Sequence, residues 1–266
     1  MSLWLLNHFS TLTLTVVTVG GTVLLAVVGS VLARRRYPSL VRGEHNDMVG
    51  VTLGMFGAIY GIILAFVIVA LWTQLDTTQT IVSTEATDIA LIARDAAAFP
   101  PPVRADVDAA LSGYVHAIVD DQWPRMRAGQ PSYGVTAEKL QDVFDALQAY
   151  EPKTSREEVF YEEAVGRLND VAGQRRARLN MAEQELPPLL QALAFGGALV
   201  LIPLTFLYGV RRLRIQLLFV GAVAGLVGFS LLLVFVLDRP FAGDLSVSPA
   251  PYKEGALARY WGGGPG

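Results

Sequence analysis

Four apolar runs constrain this chain more than any other feature: Thr11–Ala33, Met48–Thr73, Pro187–Val210 and Ile215–Leu237. Each is 23 to 26 residues long and contains no Asp, Glu, Lys, Arg or His. At about 1.5 Å of rise per residue, a helix of that length crosses the roughly 30 Å hydrocarbon core of a bilayer with some tilt. Lipid offers the backbone no hydrogen-bond partners, so a spanning segment must satisfy its own N–H and C=O groups as a helix. The sequence therefore predicts an integral membrane protein with four transmembrane helices, and its 52% of hydrophobic residues fits that class.

Basic residues set the orientation. Arg34, Arg35, Arg36 and Arg42 lie between the first two runs, and Arg211, Arg212 and Arg214 between the last two. Short arginine-rich loops stay in the cytoplasm. The expected topology places both termini and the long Gln74–Leu186 insert outside, a periplasmic domain if the membrane is a bacterial inner membrane. The first run is not read as a cleaved signal peptide, because its basic cluster follows a stretch long enough to span. The insert carries 19 acidic and 11 basic residues, a net −8, and the remainder is +5. An acidic outer layer excludes nucleic acid as a partner, which needs a basic face. With no cysteine in the chain, the insert is neither stapled by disulfides nor built on a thiolate metal site.

The insert is rich in Ala, Glu, Asp, Arg and Gln, a composition of helices. Asp76–Ala98 should continue the second membrane helix outward as one rod, until Pro100-Pro101-Pro102 ends it. Val103–Val119 follows, with Val107, Leu111, Tyr114, Val115 and Ile118 on one face. Trp123-Pro124 and Gly129–Gly134 read as turns, and Glu138–Leu147 as a short helix. The last insert helix is expected over Ser155–Glu185, with Ser155 as its N-cap and Phe160, Ala164, Leu168 and Val171 as its seam. The first and last of these helices should pair antiparallel. The charged residues of the insert read as solvated helix faces.

Inside the membrane, small residues supply the close approach that hydrophobic drive cannot. Gly54, Gly57 and Gly61 share a face of the second run, and Gly221, Gly225 and Gly228 repeat the device in the fourth. These stripes serve packing within the four-helix unit, or else a subunit interface or pore with Thr52, Phe56 and Tyr60 as its polar and aromatic lining. Catalytic chemistry has little to work with. His8, His45 and His116 are widely separated, with no clustered metal ligands, and Gly262-Gly263-Gly264 is a tail rather than a phosphate loop. Ser246 and Ser248 lack a neighbouring base. Neither an enzyme nor a bound cofactor or metal is expected.

After the fourth run the chain reads Asp238-Arg239-Pro240-Phe241-Ala242-Gly243, then Val247-Ser248-Pro249-Ala250-Pro251-Tyr252. This ending resembles that of the bacterial bestrophin-like membrane proteins, in which a D-x-P-F-x-G turn and a V-x-P-x-P-F stretch follow the last helix. The likeness extends to the glycine-rich second run ending in Ala65–Trp72, to Glu85-Ala86 and to the Arg175–Leu179 step. Tyr252 stands where the motif usually ends in Phe. The resemblance implies an analogy with bestrophins, oligomeric anion channels with four helices per subunit. From the residues alone, Asp238, Pro240, Phe241, Gly243, Pro249 and Tyr252 form a lid tying the tail to the insert, with Asp238 pairing with Arg239 or capping insert amides.

The expected architecture is all-α, divided into transmembrane helices 1 and 2 (residues 1–73), the helical insert (74–186), transmembrane helices 3 and 4 (187–237) and a C-terminal tail (238–266). The function that fits is a homo-oligomeric, channel-like protein in the lipid bilayer that passes ions with a weak cation preference, since the acidic insert outweighs the bestrophin analogy. The alternative is a non-conducting scaffold or sensor whose insert binds a ligand or protein.

Overall fold

The computed structural model describes residues 2–38, 43 and 45–262. Arg42 and Gly263-Gly264 lie outside the described residues. No strand occurs among those described; the fold is helical throughout. In chain order the helices are α1 (Ser2–His8), α2 (Thr11–Arg36), α3 (Asn46–Asp95), α4 (Pro101–His116), α5 (Trp123–Arg127), α6 (Ala137–Gln148), α7 (Ser155–Glu183), α8 (Pro188–Phe206) and α9 (Leu213–Leu237).

Helix α3 is a single rod of 50 residues, on the order of 75 Å long, and carries the second apolar run straight into the insert. Phe99 ends it in extended backbone because the ring of Pro100 clashes with a helical conformation in the residue before it. Pro101 and Pro102 then open α4, in a first turn that needs no N–H bonds. Pro187 and Pro188 play the same part where α7 gives way to α8.

Three local readings of the sequence need correction. Trp123-Pro124 is helical, not a turn: α4 runs into a π-helical stretch, Ala117–Gln122, and then α5. Pro124 cannot supply an N–H to the ladder, and it falls where the α-helical ladder is already interrupted by the π-helical turn. Helix α7 is capped by Thr154 rather than Ser155, through a hydrogen bond from the Glu157 amide to its Oγ1 (3.2 Å). The third run stops being helical at Phe206, three residues beyond the internal Pro203. The turn that follows is held by Asn46, whose amide accepts from Gly209 N and donates to Gly209 O (2.8 Å each).

Two cores result. In the membrane half, Tyr60, Leu64, Val67 and Leu71 of α3 pack on Ala194, Ala198 and Leu201 of α8 and on Val227, Val234 and Leu237 of α9. Helix α2 lies along α9, with Ala26 against Val220 and Ala224. In the insert, α3 and α7 run antiparallel, pairing residue 85 with 178 and residue 95 with 167. Over them close Val107, Leu111 and Ile118, then Leu140, Val143 and Leu147. Large apolar side chains stay exposed around the bundle, among them Leu25, Ile59, Phe66, Leu199 and Leu218. In water such a belt would drive aggregation; in lipid it is the surface that four spanning helices require.

The tightest helix crossing sits where the sequence did not single out a glycine. A Cβ on Gly197 of α8 would collide with the ring of Tyr60, and that ring is pinned by its hydroxyl bond to the Ala194 carbonyl (2.6 Å). A Cβ on Gly54 meets nothing within 4 Å in the chain. Gly197→Ala should destabilise the detergent-solubilised protein by about 1–3 kcal/mol through overpacking, and Gly54→Ala should leave the subunit's own fold unchanged. Thermal unfolding of the two variants against the parent checks this; equal melting would refute the crossing.

Candidate functional site

The insert is organised about a carboxylate with no access to water. Glu85 of α3 and Arg178 of α7 are both 0% exposed. Arg178 Nε donates to Glu85 Oε2 (2.7 Å) and its Nη2 to Oε1 (3.2 Å), the forked geometry that a guanidinium and a carboxylate share. Two tyrosines complete the shell: Tyr114 donates to Oε1 (2.7 Å) from α4, and Tyr252 donates to Oε2 (2.8 Å) from the tail. Four segments distant in sequence thus converge on one side chain.

The electrostatics follow from burial. Desolvation, then the adjoining Glu85 charge, push both tyrosine hydroxyls well above their ordinary pKa of 10.0, so they stay protonated as donors. Burial opposes the charge on Arg178, but Glu85 more than offsets it and the guanidinium is held above its ordinary value. Nearby, Arg175 bonds Thr136 Oγ1 (2.7 Å) and the Tyr133 carbonyl, tying the loop before α6 to α7; burial lowers its pKa. One turn-pair further along, Arg167 faces Asp95 (3.4 Å), Asp88 (3.7 Å) and Glu163.

These charges correct the reading of the insert as uniformly solvated faces. The signal was present in the spacing. Thr78, Val82, Glu85, Ile89 and Ile92 keep a three-four step along α3, so Glu85 sits at a core position of a buried stripe. Leu168, Val171, Arg175, Arg178 and Ala182 do the same along α7. The antiparallel pairing of the two helices was expected, but nothing in the spacing showed that Glu85 would meet Arg178.

The tail motif is placed as a strap. Asp238 accepts from the Leu186 amide (2.6 Å), satisfying a donor at the α7–α8 joint, and Arg239 pairs with Glu185 (2.6 Å). Of the two partners considered for Asp238, the structure thus selects the amide. Pro240 O accepts from Val247 (2.8 Å), and Phe241 turns inward against Trp123 (5.3 Å). Gly243 has φ +83°, a left-handed backbone that a side chain would strain, close against Leu6 of α1. Pro249 begins the short 3-10 turn that delivers Tyr252 to Glu85.

The membrane candidates do not fall on one lane. Tyr60 is buried against α8, and Phe56 and Gly57 are half-buried; Thr52, Gly54 and Gly61 are exposed. Residues two apart on a helix point some 160° away from each other, so Gly54 and Phe56 face opposite sides of α3. A Cβ on Gly221 or Gly225 would touch Val23 of α2 (3.8 and 3.6 Å), and one on Gly228 would press on Thr22 (3.1 Å). No group of three or more His, Cys, Asp or Glu placed to hold a metal occurs among the described residues.

Removing one member of the buried pair should be costly. Arg178→Ala strands a carboxylate away from water and should cost about 3–5 kcal/mol, whereas the double change Glu85→Leu with Arg178→Met should recover much of that loss. Thermal unfolding of both variants tests this, and a double variant as unstable as the single would sink it. The tyrosines predict an alkaline limit. Their folded pKa values lie above the unfolded value, so their contribution is complete below pH 10 and is lost as pH rises beyond it. Melting temperature should fall above pH 10, with a shallower slope in Tyr252→Phe; identical slopes would contradict it.

A sequence model of the bestrophin-like domain matches residues 20–252. No curated protein and no solved structure matches the chain. The matched region begins within α2, takes in all the remaining membrane helices and the insert, and closes on Tyr252, the last member of the buried cluster. The chain therefore belongs to the bestrophin-like family of membrane proteins.

Proposed function

We propose that the chain assembles as a homo-oligomeric, channel-like protein in which α3 faces the central axis, with both termini and the insert outside the cytoplasm of a bacterial inner membrane. One observation carries the reading. The side of α3 that packs on nothing runs through Ala58, Ile62, Val69, Thr73, Asp76, Thr80, Ser83 and Thr87, all exposed and recurring at helical spacings of three, four or seven. Above the membrane this face holds hydroxyl groups and one carboxylate, where an ordinary solvated helix would be densely charged. Thr73, Thr80 and Thr87 donate their hydroxyl protons to the carbonyls four residues back (2.9, 3.0 and 2.8 Å). Their remaining lone pairs face outward as acceptors, which suits cations.

The arginine clusters support the orientation. Arg34 donates to the carbonyls of Val210 (3.0 Å) and Arg211 (3.2 Å), so both clusters lie at the bundle end away from the insert. The net −8 of each insert adds to the cation bias at an outer mouth, screened over about 8–10 Å. Planar-bilayer recordings of the purified protein under a KCl gradient should give a reversal potential towards potassium, reduced in Asp76→Asn. Reversal towards chloride rejects the cation preference. A bilayer silent across pH, calcium and voltage favours the non-conducting scaffold or sensor.

A further inference from the structure

On the flank of the bundle between α3 and α9, two apolar hollows join end to end. One, of about 330 Å³, is lined by Leu53, Tyr208, Val210, Gln216 and Phe219 among others. The next, of about 420 Å³, continues past Gly57, Gly61, Ala65, Leu226 and Ser230. They share Leu53 and Val223. Along α9 the lining runs from Gln216 to Ser230, which at 1.5 Å per residue is about 21 Å. The groove exists because α3 presents glycine and alanine there while α9 presents larger side chains.

The mouth of this groove is basic. Arg34 Nη1 donates to Gln216 Oε1 (2.7 Å) and to Val210 O (3.0 Å), two residues of the lining, so its guanidinium lies beside that end of the groove. Arg212 precedes Gln216 by one helical turn, and Arg35, Arg36, Arg211 and Arg214 are exposed at the same end. The two connecting segments hold seven arginines against Glu44 and Asp47. Arg34, Arg35, Arg36, Arg211, Arg212 and Arg214 make no ion pair among the described residues.

From this geometry we infer that the α3–α9 groove is a binding site for an anionic phospholipid, its acyl chain lying along Gly57, Gly61 and Ala65 and its phosphate held at the arginine-rich mouth. Length and charge both fit. Half of a roughly 30 Å hydrocarbon core is about 15 Å, so an acyl chain entering at the mouth stays within the groove. A neighbouring subunit's helix fits less well. An apolar helix laid there would bring no charge to face the arginines at the mouth. A phosphate supplies that charge, and basic pockets between helices at the cytoplasmic face suit such headgroups. The site does not depend on whether the protein conducts.

The test uses the full chain in dodecyl maltoside, incubated with mixed micelles of dioleoylphosphatidylglycerol or dioleoylphosphatidylcholine. Native mass spectrometry should find a retained phosphatidylglycerol on each subunit, with a higher melting temperature than phosphatidylcholine gives. The double change Arg212→Gln with Arg214→Gln should weaken phosphatidylglycerol binding about thirtyfold, equivalent to about 1 kcal/mol per basic group. Gly61→Leu should abolish retention of either lipid, since a Cβ there meets nothing within 4 Å and the larger side chain fills the groove without disturbing the fold. Ala65→Leu serves if that variant does not fold. Wild-type retention in both groove-filling variants, or equal binding of the two lipids, overturns the site. A smaller subunit number in those variants, with no lipid on the parent, reassigns the groove to a second copy of the chain.

Discussion

Glu85 is the side chain on which the insert's arrangement depends. A carboxylate fully removed from water is costly unless its charge is matched and its lone pairs are occupied. Here one guanidinium matches the charge, and four hydrogen bonds arrive from α7, α4 and the tail. Those requirements can be met only with α3, α7, α4 and the strap after α9 all in place, so the cluster fixes relations that apolar packing would specify loosely. The apolar shell around it, including Ile89, Leu111 and Leu179, keeps water out and strengthens the same interaction.

The cluster also explains how the two halves of the molecule are joined. Glu85 sits on the same uninterrupted helix that packs in the membrane at Tyr60, Leu64 and Val67. Such a rod cannot kink sharply without breaking its own backbone hydrogen bonds. The return path is different. Between α7 and α8 the chain leaves the helix over Gln184–Pro187, and the amide of Leu186 is satisfied from outside by Asp238. An acid just past the C-terminus of α9 is unfavourable for that helix's dipole. Its position makes sense as a stitch across the joint, backed by the pair of Arg239 with Glu185.

Much of this was legible in the sequence, for a physical reason: lipid leaves a backbone few choices, so the apolar runs located the spanning helices to within a few residues, and the proline pairs located the breaks. The continuous α3 and its antiparallel partner followed from helical composition on both sides of a membrane hairpin. Local chemistry was less legible. Pro124 looked like a breaker because it is tolerated only where the π-helical stretch already interrupts the α-helical ladder, and that stretch has no sequence signature here. Glu85 and Arg178 lay on apolar stripes, yet a charge on such a stripe gives no sign of its partner 93 residues away. Among the glycines, Gly197 makes the closest helix contact and was passed over, because its importance comes from Tyr60 on another helix.

Tyr252 shows how the strap and the cluster constrain each other. In the motif that this ending resembles, Phe stands at this place, and a Phe ring would fill the same space against Trp123 and still seal the site. With Phe, Glu85 keeps the forked bond to Arg178 and the Tyr114 hydroxyl, so its charge remains matched. The hydroxyl of Tyr252 adds a bond to a charged acceptor, on the order of 1.5–3 kcal/mol, but its burial depends on the turn after Pro249 and on the Trp261 ring nitrogen, which donates to the Tyr252 carbonyl (2.9 Å). The aromatic ring therefore closes the site, and the hydroxyl ties the strap's position to the charge state at its centre. In this chain the strap is held by the same carboxylate that joins α3 to α7, which makes its docking conditional on the formation of that pair.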